Sequence, residues 1–200
     1  MMPYQLPPGG IPEGGARGTS FDDFAWLRGP DDAYVYSLQV NHGDTLDHLV
    51  VTYLQGGRPR VKQHGASNGG NIVYDPWVIK LDSGERLIKV ECWFHAYSGG
   101  TIELNGLRFT KRVLFADGGW GAQPSPLFGS TDTTGWGSVT LQVPGGAQMQ
   151  RAVARHPDDS LQPEICAFWG REGDFVDALG IWVRPCARSA IRPLSDAKRA

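Results

Sequence analysis

Phe168-Trp169-Gly170-Arg171-Glu172-Gly173-Asp174-Phe175-Val176-Asp177-Ala178-Leu179-Gly180-Ile181-Trp182-Val183 reads as a strand, a turn and a second strand. Gly173 opens the turn, and apolar side chains then fall at Val176, Leu179, Ile181 and Val183. Once past the turn they alternate, which is the two-residue period of a strand with one face buried. Ile165 to Trp169, rich in apolar and aromatic residues, supplies the partner strand before the turn. The unit predicted is a β-hairpin whose tip carries two carboxylates, Asp174 and Asp177.

The same spacing occurs twice more. Gly43-Asp44-Thr45-Leu46-Asp47-His48-Leu49-Val50-Val51-Thr52-Tyr53 sets apolar groups at Leu46, Leu49, Val51 and Tyr53, and Gly84-Glu85-Arg86-Leu87-Ile88-Lys89-Val90-Glu91-Cys92-Trp93-Phe94 sets them at Leu87, Val90, Cys92 and Phe94. Val35 to Val40 and Trp77 to Leu81 precede these copies as strands, so each copy is expected to be a hairpin. Glycine loops recur about every fifty residues, at Gly14–Gly18, Gly65–Gly70 and Gly118–Gly121, and a period of that size marks a repeated structural unit. Thr101 to Phe109, Arg112 to Phe115 and Ser138 to Val143 are further strand candidates. Three small sheets about a pseudo-threefold axis follow, because no single one could bury its apolar face alone.

Bulk properties agree with an all-β chain. Twenty-seven glycines and 14 prolines among 200 residues, with aromatic and β-branched residues between them, describe short strands and tight turns. A formal net charge of -2 provides no field for nucleic acid or an anionic membrane. No stretch has membrane-spanning length, and the first fifteen residues lack the basic and apolar regions of a secretory peptide. A soluble protein, cytoplasmic or secreted by an unconventional route, is expected. Cys92, Cys166 and Cys186 have neither metal-type spacing nor the density of a disulfide framework.

The expected organisation is an N-terminal segment 1–13, one domain over 14–186, and a basic tail over 187–200. Pro7, Pro8 and Pro12 argue against a regular strand in the first segment. Within the domain, 123–162 shows no sustained period and is expected to be largely a surface insertion.

On these motifs the chain resembles the jacalin-related lectins from about Gly14 to Pro185. The block from Phe168 to Val183 resembles the family's last hairpin, and Gly15-Ala16-Arg17-Gly18-Thr19-Ser20-Phe21-Asp22-Asp23 resembles its first glycine loop. The resemblance implies a β-prism I fold, three four-stranded antiparallel Greek-key sheets, and a sugar site made by Gly18, Gly173, Asp174, Phe175, Val176 and Asp177. An ionised carboxylate at Asp177 would accept from two sugar hydroxyls, each such bond contributing about 1.5–3 kcal/mol. Gly43, Asp44, Thr45, Leu46 and Asp47 repeat the Gly-Asp-x-x-Asp form, so with Gly69 and Gly70 they imply a second site. The copy at Gly84 has Ile88 in the aspartate's place and is expected to bind nothing. An uncut Gly18 loop and the Gly-Asp-x-x-Asp form imply mannose- or glucose-type glycans. The aromatic contact expected from a neighbouring hairpin falls near Thr101 and Ile102, which carry no ring and disfavour galactose. A shallow site of this kind binds one sugar weakly, so several sites or a homo-oligomer would supply avidity.

Other chemistries have less support. His42, His48, His64, His95 and His156 form no helical pair and have no close cysteine, so no metal is expected and they are read as surface or turn residues. The adjacent pairs Asp22-Asp23 and Asp158-Asp159 should point apart, and no nucleophile motif or phosphate loop is present, so neither catalysis nor a cofactor is expected. The alternative from another class is a β-prism used for protein assembly, with sugar binding lost or incidental.

Overall fold

The computed structural model describes residues 4–6, 13–28, 32–66, 72–97, 100–116, 118–143 and 163–184. In chain order they form β1 (Tyr4–Leu6), β2 (Glu13–Gly14), β3 (Thr19–Asp22), the one-turn helix α1 (Asp23–Trp26), β4 (Ala33–His42), β5 (Leu46–Gln55), β6 (Arg58–Gly65), β7 (Ile72–Val73) and β8 (Trp77–Val78). There follow a 3-10 turn at Leu81–Ser83, β9 (Arg86–Ala96), β10 (Ile102–Leu114), β11 (Trp120–Pro124), β12 (Phe128–Gly129), β13 (Gly137–Gln142), β14 (Glu164–Glu172) and β15 (Val176–Arg184). No helix among the described residues is long and apolar enough to cross a membrane.

Three antiparallel sheets result, as the repeat requires. Each is four strands wide, with one outer position filled by two short pieces end to end. β1 and β2 run along β15, then β14 and β3; β7 and β8 run along β4, then β5 and β6; β11 and β12 run along β10, then β9 and β13. The inner faces meet on the axis, where Phe109 lies 5.8 Å from Phe128 and 6.4 Å from Phe168. This three-sheet arrangement is the β-prism.

The central hairpins β4–β5, β9–β10 and β14–β15 superimpose in register. Asn41 pairs His48, Trp93 pairs Gly106 and Arg171 pairs Ala178. At that register Leu46, Leu104 and Val176 form one fully buried layer, Leu49, Leu107 and Leu179 the next, and Val51, Phe109 and Ile181 a third. Each hairpin also carries two bulges at matching places, where one residue is left out of the pairing. On the first strands the extra residue is Tyr36, Ile88 or Cys166; on the second strands it is Asp47, Asn105 or Asp177. A bulge bends its strand and re-aims a side chain, so the second set positions polar groups at one rim of the prism.

Three expectations need correction. The segment at Gly84 is not the third copy: Trp77 and Val78 pair with β4, while β9 occupies the place of β4 and β14. The true equivalent runs from Thr101, with Asn105 where the other copies have aspartate. The stretch 123–162 is not simply an insertion, because its first part completes β11 and provides β12 and β13; 144–162 lie outside the described residues. The first segment does pair with the sheet, since Tyr4–Leu6 pairs with Ile181–Val183 and Glu13–Gly14 with Ala178–Leu179; 7–12 lie outside the described residues.

Candidate functional site

Asp177 stands at the bulge of β15, directly behind the turn Gly173–Phe175, which is closed by Gly173 N–H donating to the Phe175 carbonyl at 2.9 Å. Although the residue is only 5% exposed, its carboxylate accepts no hydrogen bond among the described residues. Burial raises its pKa, Arg171 and Arg17 oppose that shift, and Asp174 adds to it. Gly18, at φ 75°, lies over this carboxylate: a Cβ there would stand 2.6 Å from Asp177 Oδ2 and 2.4 Å from the Glu172 carbonyl oxygen. Only a residue without a side chain permits that approach. Arg171 fixes the glycine loop by donating from Nε to the Arg17 carbonyl at 2.8 Å and from Nη2 to the Gly18 carbonyl at 2.6 Å. The structure thus brings together Gly18, Gly173, Asp174, Phe175, Val176 and Asp177. Val176 is fully buried and anchors the loop from beneath.

The second acid has the same setting. Asp47 stands at the bulge of β5 behind the turn Gly43–Thr45, closed by Gly43 N–H donating to the Thr45 carbonyl at 3.0 Å. Its Oδ2 is buried without a hydrogen-bond partner. Leu46 anchors this loop as Val176 anchors the first, and Asp44 holds the place of Asp174. Gly65, at φ 81°, packs on the Asp47 backbone, where a Cβ would meet the carbonyl oxygen at 2.0 Å. Gly69 and Gly70 lie outside the described residues.

In the third sheet the corresponding position is closed by the protein itself. Asn105 is 3% exposed, donates from Nδ2 to the Asp132 carbonyl at 3.0 Å, and accepts at Oδ1 from the Tyr97 hydroxyl at 3.5 Å. Both faces of its amide are engaged, and it carries no charge to offer a hydroxyl. Thr101 and Ile102 carry no ring, but Tyr97 brings one to the same hairpin, tilted against His95 at a centroid distance of 4.4 Å.

A family model described as the Jacalin-like lectin domain matches residues 11–114, just over half of the chain. The chain belongs to the jacalin-like lectin family. Three solved structures illustrate how far the fold agrees. A mannose-binding jacalin-related lectin from Ananas comosus (pineapple) is 22% identical, with 92% of this chain and 98% of that one covered at a TM-score of 0.62. Artocarpin, a lectin with mannose specificity, is 16% identical, with 92% and 99% covered at a TM-score of 0.63. Malaysian banana lectin is 22% identical, with 86% and 94% covered at a TM-score of 0.60. No curated protein matches by sequence.

Within this jacalin-like domain sequence reasoning missed His64 and read His42, His48 and His64 as surface or turn residues, whereas all three are buried; His156 lies outside the described residues. His64 is fully buried, and His42 and His48 are nearly so. Asp22 and Asp23 do point apart: Asp22 caps α1 and accepts from Trp182 Nε1 at 3.1 Å, whereas Asp23 is buried against Tyr53 and His64.

The glycines make the two loops separately testable. Gly18→Ala should displace its loop from Asp177 and cost about 1–2 kcal/mol of stability, because φ 75° strains any L side chain. Amide hydrogen exchange should then quicken in the Gly173–Asp177 loop, and Gly65→Ala should do the same for the loop of Asp47.

Proposed function

We propose that this chain is a carbohydrate-binding lectin with two sites for mannose- or glucose-type glycans, one at Asp177 and one at Asp47, and that it performs no chemistry. One observation carries this reading: two carboxylates in equivalent bulges, almost out of solvent, have no donor among the described residues to satisfy them. A buried ionised acceptor without donors is costly, so the arrangement favours a ligand that brings hydroxyls in the correct geometry. The loop amides and the bare Gly18 edge supply the opposite half of the ring's hydrogen bonds. Jacalin-like lectin membership, and structural likeness to proteins described as mannose-binding, support the same ligand class. A single such site should bind a monosaccharide at about millimolar Kd, near −4 kcal/mol. A glycan array tests the class: retention of mannosides and glucosides supports it, and binding to galactosides alone contradicts it.

The pKa direction at Asp177 sets a pH dependence. Its folded pKa lies above the ordinary aspartate value, so the ionised form costs the fold stability at neutral pH and that cost is relieved as pH falls. The sugar needs the ionised form. Affinity at this site should therefore decline on acidification before an ordinary aspartate would titrate, measurable by titrating Asp47→Ala with mannoside across the acid range.

Val61, Val73 and Val78 favour a second reading, an assembly module. They are 51%, 61% and 39% exposed and share the outer face of the second sheet through the registers Val61–Thr52–Ser37–Val78 and Asn41–Val73. A chain that retains no glycan yet sediments as an oligomer, dissociated by Val73→Lys, would support it over the lectin.

A further inference from the structure

His64 lies where the two sites meet. It is the penultimate residue of β6, one before the glycine that packs on Asp47, and its ring is sealed under Phe21 at a centroid distance of 3.8 Å. Nδ1 stands 2.8 Å from Glu172 Oε2 and Nε2 stands 3.1 Å from Asp23 Oδ2. A neutral imidazole has one N–H and can serve only one of these acceptors, whereas the imidazolium has two and serves both. Glu172 also accepts from Gly65 N–H at 3.2 Å, immediately precedes Gly173, and presents the carbonyl on which Gly18 rests. Ala66 N–H adds a bond to the Asp174 carbonyl at 3.3 Å. The glycine loop of one site and the acid loop of the other are therefore joined through one carboxylate and one histidine.

We propose that His64 is a positioning residue whose imidazolium ties the loops of both sugar sites together, so that the two sites weaken jointly when it loses its proton. This rests on the reading of Asp177 and Asp47 as sugar acceptors. On deprotonation the remaining N–H stays with Asp23, which is sealed from water, rather than with part-exposed Glu172; the Nδ1 lone pair then faces the Glu172 carboxylate, the two repel, and Glu172 withdraws from Gly65 and from the peptide under Gly18.

The groups facing the ring from every side fit this role. Asp23 comes from α1, Glu172 from β14, and Tyr53 from β5, its hydroxyl donating to Asp23 Oδ2 at 2.5 Å. Lys62 on β6 favours the Glu172 charge, and His48 on β5 is the nearby group of like charge, with its own pKa lowered by burial and then by His64. Burial opposes charge on His64, but the bonds and fields of Asp23 and Glu172 prevail and its pKa is raised. Burial likewise opposes charge on Glu172, and the bond to His64 leads the contributions that lower its pKa. A raised histidine stabilises below its unfolded pKa and loses that contribution as pH rises through the folded value. A lowered glutamate stabilises above its unfolded pKa and loses that contribution as pH falls through the folded value. Joint integrity of the loops thus spans the interval between them and ends on the alkaline side with His64.

The test follows the full chain by NMR between about pH 5.5 and 9.5, reading the His64 ring and the amides of Gly18, Gly65 and Gly173, with mannoside titrations at both ends of the range. One common midpoint above the ordinary histidine value is expected, with about tenfold weaker binding at both sites on the alkaline side, or about 1.4 kcal/mol. In Glu172→Gln the amide can donate to neutral His64, so the ratio of alkaline to acid affinity should fall to near one. A His64 ring that titrates at or below the ordinary value, or glycine amides that ignore its titration, overturns the proposal. Should mannoside bind at no pH, the lectin reading fails, and the NMR titration still decides the coupling.

Discussion

Replacing Asp177 and Asp47 together by alanine is expected to abolish retention on mannose resin while leaving the fold intact. Each carboxylate would accept two hydroxyls, and charge-assisted bonds contribute about 1.5–3 kcal/mol each, so the loss at one site exceeds about a hundredfold. From a starting affinity near millimolar, nothing measurable remains. The apo protein should not suffer, because neither carboxylate holds the structure: among the described residues the Asp177 side chain accepts nothing and Asp47 Oδ2 has no partner. Removing the ionised Asp177, whose raised pKa reports its desolvation, should if anything raise the melting temperature. Unchanged retention by the double variant, with circular dichroism unaltered, contradicts the lectin account. The single variants should each lose one site and keep the other.

The largest expected effect on stability lies at the opposite end of the prism. Glu164, which begins β14, accepts from Arg184 Nη2 at 2.8 Å and forms an ion pair with Arg86, whose Nε lies 2.9 Å from its Oε2, and Tyr34 lies against both guanidiniums at 5.0 and 4.7 Å. Arg184 also donates to the Ala33 carbonyl at 2.7 Å, so the cluster joins the starts of β4, β9 and β14. All three charged residues are less than 9% exposed. Glu164→Ala leaves two buried cations facing each other without their shared anion, and breaking such a set costs about 3–5 kcal/mol. For a domain of this size that is a fall in Tm of about 6–20 °C. Mannoside binding below the new Tm should be unaffected, since the loops of Asp177 and Asp47 stand at the far ends of β14 and β4. A Tm within about 2 °C of the parent would show that the charges are solvated rather than mutually held.

The fold was legible where the alternation of apolar residues was clean. Leu49, Val51 and Tyr53, or Leu179, Ile181 and Val183, can only line one face of a strand, and three such faces require one another. The third copy was misplaced for a physical reason. A bulge buries two consecutive residues and shifts the alternation by one, and every hairpin has a bulge on each strand. Leu87-Ile88-Lys89-Val90 thus imitates Leu46-Asp47-His48-Leu49 although it sits on the other strand of its hairpin. The two aspartates were visible because a turn glycine lies four residues ahead of each. Asn105 was not, because its hairpin places Thr101 there. The pairing of Tyr4–Leu6 and Glu13–Gly14 with β15 was hidden because the prolines that stand between them in the sequence argue against a ladder.

His64 had no local signal at all. Its partners are 41 and 108 residues distant, on α1 and β14, and only the closing of the first sheet against the second brings them to its two nitrogens. A histidine before a glycine reads as a turn residue when the packing of the sheets is unknown. The preceding alternation on β6 gives an edge strand, with Arg60 and Lys62, on the same face as His64, lying over Trp26. Nothing in that pattern distinguishes a buried ring from a solvated one.

The most direct test is a crystal structure of the chain soaked in methyl mannoside at a concentration well above the about millimolar affinity expected. The account predicts a pyranose at each of two rims, its hydroxyls within hydrogen-bond distance of the Asp177 and Asp47 carboxylates, with the Asn105 amide still bonded to Asp132 and Tyr97. Density at neither aspartate under saturating sugar, or a sugar seated at Asn105 instead, would contradict it.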